Sequence, residues 1–518
     1  MSPRSLPDLP EELIEDVASR CRKPDLANLA LASRQLNRIA SAVLYRHISI
    51  VLKAKNYRSI RHENSLEPLH SITALLLQRP ELAACVRHLT LRLDWNDRED
   101  TEEGCYADGL LPALEDGVIA MLQRYEAEHS VHTRSSLTSS PKWLVDKFVA
   151  VLLSLSLPNL VYLDTDFMRR AGGLFSHRVS LPLNEEESKN LSHVREVLFC
   201  SIAKDVLDFS NVEVFFSLPA CRKVCMYGLE RIHHGVDSER FEEGDDNVLA
   251  RLKHGRASTS WPTSSVEHLE IRSSTLTFAE ICHLIGRCKA LHTFGYEHSP
   301  DYNDGRDGFS LNMWNVVDAL GVHAETLQEL YLNAYAGDVT VDGELLDFRK
   351  LSHLRHLKIP TDCLTSALAA DDGGLIEQGS PDQDALWAQV KKVLPASLQK
   401  LTLTGPVKEH TREWRVLFAA VLPRLVYDKT ALPELKEIII QISCKSAPPA
   451  QTLLTIQRFA KRQGIELRFF HWYRAVRQRV WGIDEDVHCW AVVPNQRNIA
   501  SKTAEIDVEG LEDEILEE

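Results

Sequence analysis

Hydrophobic and polar positions near the start of the chain follow a helical period. Leu13, Ile14 and Val17 alternate with acidic residues, which places the three apolar side chains on one face of a helix. Asp25 is a suitable N-cap for a second segment, in which apolar residues recur at helical spacing as far as Ile39. The pattern predicts a small helical domain.

A second pattern, apolar-x-x-apolar-x-apolar, recurs after residue 85. Its last three positions have the period of two that is typical of a short strand with alternate side chains buried. The clearest copies begin at Val86, Leu160, Val194, Val266, Leu291, Leu327, Leu354, Leu398 and Leu435. Helical segments separate several copies. Thr277 and Glu280 predict a capping box before one helix, and another helix is predicted over 450–463, ending at Gly464.

Strands and helices that return at an interval are typical of a solenoid. Acidic, turn-rich insertions at 94–108, 237–247 and 370–384 predict exposed loops, and the acidic residues from Glu505 onward predict a disordered tail. The predicted domains are a helical domain at 1–50, a connecting helical segment at 51–85, a repeat domain at 86–482 and a C-terminal extension at 483–518.

The net charge of −15 over 518 residues argues against nucleic-acid binding, which normally uses a basic surface. No apolar stretch approaches the roughly 18 residues of a membrane-spanning helix, and the first residues lack an apolar leader segment. The 11 cysteines show no framework spacing, which is typical of reduced thiols. We therefore expect no nucleic-acid or membrane partner, and a cytoplasmic or nuclear location.

Catalytic and cofactor-binding motifs are missing from the sequence. It contains no Gly-x-Ser-x-Gly, Walker A or Gly-x-Gly-x-x-Gly pattern. Cys221 and Cys225 lie near His233 and His234, but two adjacent histidines are a poor second pair of zinc ligands. We therefore expect a protein that is not an enzyme, with no catalytic residue, no cofactor and no metal site.

Residues 9–40 resemble the F-box. The segment Leu9-Pro10-Glu11-Glu12-Leu13 matches the opening of the F-box pattern, and Asp25-Leu26 follows at the spacing of that family. The flanking sequence looks like that of fungal F-box proteins. The resemblance implies a three-helix domain that binds a Skp-type adaptor. The residues it implies for helix packing and adaptor contact are Leu9, Pro10, Leu13, Ile14, Val17, Cys21, Leu26, Leu29, Leu36 and Ile39.

Three positions depart from the F-box pattern towards smaller side chains. Cys21 stands where leucine is usual, Ala32 where valine is common, and Leu36 where many members have tryptophan. We therefore expect a smaller adaptor-contact surface than is usual for the family.

The recurring strand motif is similar to that of leucine-rich repeats. The family has asparagine or cysteine three residues after the last apolar position, where this chain has Ser274, Tyr335, Asp362, Pro406 and Ser443. This departure implies an irregular solenoid. The two resemblances together imply an α/β fold, in which a three-helix F-box precedes an irregular leucine-rich-repeat solenoid with a curved parallel sheet and outer helices.

An F-box followed by leucine-rich repeats implies the substrate-recognition subunit of an SCF-type cullin-RING ubiquitin ligase. Such a subunit brings an unknown target protein close to a ubiquitin-charged enzyme and performs no chemistry itself. The target-binding residues predicted on the concave strand face are Arg92, Arg272, Tyr331, Asn333, Lys358 and Gln441. Two alternatives stay open: a non-ligase repeat scaffold whose N-terminal helices only cap the solenoid, and an enzyme on an unrelated α/β fold.

Overall fold

The fold is that of a computed structural model. It describes residues 9–54, 67–95, 157–165, 191–200, 214–229, 249–250, 252, 264–274, 276–298, 313–333, 346–365, 387–388, 390–404, 417–442, 450–471, 478–480 and 489–491. Among these residues, no helix combines the length and the apolar composition needed to span a bilayer.

The chain begins with three helices, α1 (Glu11–Ser19), α2 (Lys23–Ala32) and α3 (Arg34–Arg46). Their shared core is small and wholly apolar. It consists of the buried residues Ile14, Ala18, Leu26, Leu36, Ile39 and Ala40, with Leu9, Cys21, Leu29, Ala30, Val43 and Leu44 packed against it. The prediction of an N-terminal three-helix domain is confirmed.

The predicted cap of the second helix is wrong. Helix α2 begins at Lys23 and includes Pro24 and Asp25 in its first turn. Proline is favoured there because its fixed φ suits a helix start and its missing N–H needs no partner. A break follows at Ser33, whose backbone is extended and whose Oγ accepts a hydrogen bond from the Leu36 N–H at 3.2 Å. Ser33 is therefore the N-cap of α3.

The described residues include twelve strands of a parallel sheet, in which strand order is the order along the chain. They are β1 (His47–Ala54), β2 (His88–Trp95), β3 (Tyr162–Thr165), β4 (Glu196–Cys200), β5 (Lys223–Tyr227), β6 (His268–Ser274), β7 (Thr293–His298), β8 (Glu329–Asn333), β9 (His356–Pro360), β10 (Lys400–Thr404), β11 (Glu437–Ile442) and β12 (Glu466–His471). The α/β class is confirmed. The predicted domain boundary at residue 50 falls inside β1.

Helices and short turns lie between several of these strands in the described residues. The further helices are α4 (Glu67–Gln78), α5 (Pro80–Ala83), α6 (Phe278–Arg287), α7 (Met313–Leu320), α8 (Asp362–Thr365), α9 (Leu422–Tyr427) and α10 (Ala450–Arg462). Short 3₁₀ turns lie at Val214–Ser217, Gly321–His323 and Phe348–Lys350, and a π-helical turn at Leu417–Val421. Near the end of the chain, β13 (Gln478–Val480) and β14 (Cys489–Ala491) form an antiparallel pair.

Two predicted helix ends are confirmed. Thr277 caps α6 through a capping box, since its Oγ1 accepts from the Glu280 N–H at 3.2 Å and its own N–H donates to Glu280 Oε2 at 2.7 Å. Helix α10 ends at Arg462, and Gly464 follows with a φ of +70°.

The chain forms two compact units, residues 1–224 with 493–495 and residues 225–492 with 496–518. In the first unit, the strand register pairs Leu89 with Leu163 and Leu163 with Val197. In the second unit, successive pairs join Leu269, Phe294, Leu330, Leu357, Leu401, Ile438 and Leu467. All of these side chains are buried. Equivalent positions of the motif therefore lie side by side and build the core on one face of the strands.

Ser274 stands at one of the positions where leucine-rich repeats have asparagine or cysteine, and its side chain bonds two backbone groups. Its Oγ donates to the Arg272 carbonyl at 2.8 Å and accepts from the Leu229 N–H at 3.0 Å. The equivalent residues Tyr335, Pro406 and Ser443 lie outside the described residues, as do the acidic tail and the predicted insertions beyond Trp95.

Candidate functional site

Large apolar side chains are exposed on the N-terminal helices. Leu13 and Val17 lie one turn apart on α1, with 52% and 42% of their surface exposed. Leu31, in the last turn of α2, is 85% exposed, and Pro10 is exposed just before α1. Single exposed leucines are ordinary, but several on one 36-residue helical unit make a candidate docking surface.

The predicted adaptor-contact residues divide into surface and core. The exposed ones are Pro10, Leu13 and Val17; the half-buried ones are Leu9, Cys21 and Leu29; the buried ones are Ile14, Leu26, Leu36 and Ile39. Leu36 is buried, so the smaller side chain at this position affects the packing of the helices more directly than it affects the exposed surface. Leu31 also occupies an F-box pattern position, and it is exposed just before the break at Ser33.

Ion pairs between α1 and α3 supplement the apolar core. Arg38 pairs with Glu11, and Arg46 pairs with Glu15, about one turn further along α1 and two turns further along α3. All four side chains are at least one-third exposed, so their contribution to stability is small. The buried core therefore holds α1 in place, and with it the exposed Leu13 and Val17.

A second candidate region is the polar face of β6 to β9. Glu270 pairs in register with Gly295, Gly295 with Tyr331, and Tyr331 with Lys358. The Arg272 guanidinium carbon lies 3.7 Å from the centre of the Tyr331 ring, and Lys358 Nζ lies 4.7 Å from that centre. A guanidinium cation at 3.7 Å interacts favourably with the face of the aromatic ring. A side chain at Gly295 would crowd Glu270, because a Cβ there would lie 3.2 Å from Glu270 Cγ.

The charged groups of this cluster shift one another's pKa. Burial opposes the charge of Arg272, but Glu270, Tyr331 and Glu297 together raise its pKa above the usual value. Burial, reinforced by the neighbouring Arg272, lowers the pKa of Lys358 well below its usual value. Burial raises the pKa of Glu297, against the opposing effect of Arg272 and Lys358. Arg272 is therefore the firmly charged cation of the cluster.

The predicted target-binding residues are mostly covered. Arg272, Tyr331, Lys358 and Gln441 are buried and Asn333 is half-buried, while the side chain of Arg92 lies outside the described ones. A period of two identifies the face on which a side chain lies. It does not show how far polar side chains on that face cover one another. The role of these residues in target binding stays a prediction.

Three possible metal ligands also meet on the second unit's strands. Cys225, His268 and Glu270 each offer one ligand atom, and these atoms lie within 4.8 Å of one another. Cys225 lies near His233 and His234 along the chain, whereas its approach to His268 depends on strand pairing.

Comparison with known proteins identifies the N-terminal region. A family model described as F-box-like matches residues 6–51, which include α1, α2 and α3 and the start of β1. The chain therefore carries an F-box-like domain, and the resemblance to F-box proteins is supported. No curated protein matches the chain.

Proposed function

We propose that this protein is the substrate-recognition subunit of an SCF-type cullin-RING ubiquitin ligase. Its F-box-like domain binds a Skp-type adaptor, which connects it to the cullin, and its strand-rich region forms an irregular leucine-rich-repeat solenoid that binds a target protein. The match of residues 6–51 to the F-box-like family is the observation that carries this proposal.

The exposed side chains of α1 and α2 support adaptor binding. An apolar surface gains free energy when a partner covers it, at about 25 cal/mol per Å² of apolar area removed from water. Leu13 and Val17 present such area on one side of α1, and Leu31 presents more at the end of α2. Rigid helices packed on a shared core hold these side chains ready for a partner.

The repeated strands support a binding role for the rest of the chain. Parallel strands in chain order, with equivalent motif positions in register, are the arrangement expected of stacked repeats, which commonly present extended protein-binding surfaces. The proposed receptor is non-catalytic. It accelerates ubiquitin transfer by raising the local concentration of the target near the charged enzyme.

Copurification of the full-length chain with a Skp-type adaptor tests this function. The double variant Leu13→Glu, Val17→Glu places two charges on exposed positions, so it should fold normally but lose the adaptor. Tyr427→Glu is the matched control, because Tyr427 is another large exposed side chain, 57% accessible, in the second unit. It should retain the adaptor.

The outcomes separate the competing functions. Adaptor bound by the wild type and by Tyr427→Glu, but lost from the double variant, supports the receptor. The scaffold alternative predicts that the wild type binds no adaptor at all. Normal binding by a folded double variant would contradict the proposed surface. Proteins captured by both the wild type and the double variant, but ubiquitinated only with the wild type, would be candidate targets.

A further inference from the structure

A cluster of three potential metal ligands lies on two neighbouring strands of the second unit. His268 and Glu270 are two residues apart in β6, so they project from the same face of that strand. Cys225 lies in β5, the adjacent strand in the sheet. One ligand atom from each residue lies within 4.8 Å of the other two. The strand pairing therefore assembles a thiol, an imidazole and a carboxylate at one point.

We propose that Cys225, His268 and Glu270 form a zinc-binding site. Zinc accepts sulfur, nitrogen and oxygen ligands in tetrahedral geometry, whereas calcium and magnesium prefer sites made wholly of oxygen. A soft thiolate beside an imidazole thus favours zinc among the common divalent ions. Three protein ligands leave a fourth position for water or for another side chain.

The distances require only a small rearrangement. His268 Nε2 and Glu270 Oε1 lie 2.5 Å apart as a direct contact. Bond lengths of about 2.0 Å to a tetrahedral zinc separate such ligand atoms by about 3.3 Å, so they would move apart by less than about 1 Å. In a tetrahedral site the sulfur would lie about 3.5 Å from each of them, and all three ligand atoms lie within 4.8 Å of one another here. Side-chain rotation at His268, which is 22% exposed, can provide this movement.

Burial gives the cluster a reason to hold a cation. Cys225 and Glu270 have no exposed surface. A buried carboxylate or thiolate is costly unless opposite charge lies close to it. Arg272 already places a positive charge beside Glu270, so a divalent ion would chiefly compensate the thiolate of Cys225, and the partly exposed His268 would leave a route for its entry.

Arg272 orients the carboxylate of Glu270. Its Nη2 and Nε atoms donate to Glu270 Oε2 at 3.0 Å and 3.2 Å, while Oε1 faces His268. One oxygen is thus held by the guanidinium and the other is turned towards the proposed zinc. Outer-shell hydrogen bonds of this kind fix the orientation of ligands in metal sites. The bound ion would join β5 to β6 and stabilise the second unit, independently of adaptor binding.

Cobalt substitution of the purified full-length protein tests the site. Chelator-treated wild type should bind one equivalent of Co²⁺ with a thiolate-to-cobalt charge-transfer band, and Zn²⁺ should remove that band. Cys225→Ser should lose both the band and the equivalent. Cys282→Ser is the matched control, because Cys282 is also a buried thiol of the second unit but lies in α6. It should keep both.

A second variant covers the case in which Cys225→Ser does not fold. His268→Ala changes a partly exposed ring, so the fold should persist while zinc affinity falls at least about tenfold, because losing even an outer-shell partner usually costs that much. Added Zn²⁺ should raise the Tm of the wild type and of Cys282→Ser, but not that of His268→Ala. Folded wild type without a thiolate–cobalt band, or equal cobalt binding by His268→Ala, would overturn the proposal.

Discussion

Leu13 and Ile14 are neighbours in α1, yet their side chains have opposite environments. Leu13 is 52% exposed, whereas Ile14 has no exposed surface and lies in the core of the three helices. Successive residues of an α-helix point about 100° apart, which is enough to place one on each side of the surface boundary. Two adjacent apolar residues of the F-box-like domain therefore have different roles.

Substitution of Leu13 and of Ile14 by alanine should separate binding from stability. Ile14→Ala leaves a cavity in a small core and should lower the free energy of unfolding by about 2–4 kcal/mol. Leu13→Ala should change stability by less than about 0.5 kcal/mol but weaken adaptor binding about tenfold. Chemical denaturation and calorimetric titration with the adaptor measure the two effects. Unchanged adaptor affinity in Leu13→Ala would place the interface elsewhere.

Leu31 should contribute to the same interface. It is 85% exposed, so Leu31→Glu should leave the melting temperature unchanged. If the adaptor covers it, the added charge would be buried without a partner, and the Kd should rise at least about tenfold. Ala27→Glu, a charge at another exposed position of α2, gives the comparison. An equal effect of both substitutions would indicate general repulsion and no specific contact of Leu31.

Local periodicity was sufficient to predict most elements, because a helix or strand with one buried face repeats its apolar residues at a fixed interval. Strand register followed as well, since the motif places equivalent residues such as Leu330 and Leu357 side by side. The break at Ser33 was missed because apolar spacing continues across it. The burial of Lys358 and the approach of Cys225 to His268 were missed because both depend on contacts between strands.

The buried pair of Arg272 and Glu270 should be sensitive to removal of one partner. Arg272→Ala would leave the Glu270 carboxylate buried without this guanidinium and should lower stability by about 3–5 kcal/mol. Replacing both, with Arg272→Met and Glu270→Gln, should cost less than the single change, because no isolated charge of the pair remains. Urea denaturation measures each variant.

The comparison for Arg272 is an ion pair at the surface. Arg349 pairs with Asp347 at 2.9 Å, but its side chain is 51% exposed. Arg349→Ala should therefore leave the denaturation midpoint unchanged within error. A loss of stability in Arg272→Ala no larger than in Arg349→Ala would show that the buried pair contributes little.

His88 should make stability depend on pH. Its ring stacks on that of His47, with the ring centres 4.3 Å apart. Partial burial lowers the pKa of His88; Glu196 opposes this shift and Arg46 adds to it. The unfolded chain therefore binds more protons as the pH falls below about 6.5, and stability should decline from there towards the lowered pKa. Above that range the contribution of neutral His88 is fully present.

Thermal unfolding between pH 7 and pH 5 checks this dependence. His88→Gln removes the titrating ring and should flatten the decline in Tm. His353→Gln changes a histidine with 54% of its side chain exposed and should keep the wild-type profile. The explanation fails if His88→Gln retains the full decline.

Gly464 should resist substitution because of its backbone conformation alone. Its φ of +70° lies in the left-handed region, and a Cβ there would find only Lys429 Nζ, at an ordinary 3.8 Å. Gly464→Ala should therefore cost about 1 kcal/mol, from the strain that a side chain meets at positive φ.

Gly321→Ala is the matched control, because a Cβ at Gly321 meets nothing within 4 Å and the residue lies in a 3₁₀ turn. That change should be neutral or slightly stabilising, since alanine restricts the unfolded chain more than glycine does. Urea denaturation compares the two variants. An equal loss of stability in both would show that the cost comes from adding a methyl group and not from the positive φ that ends α10.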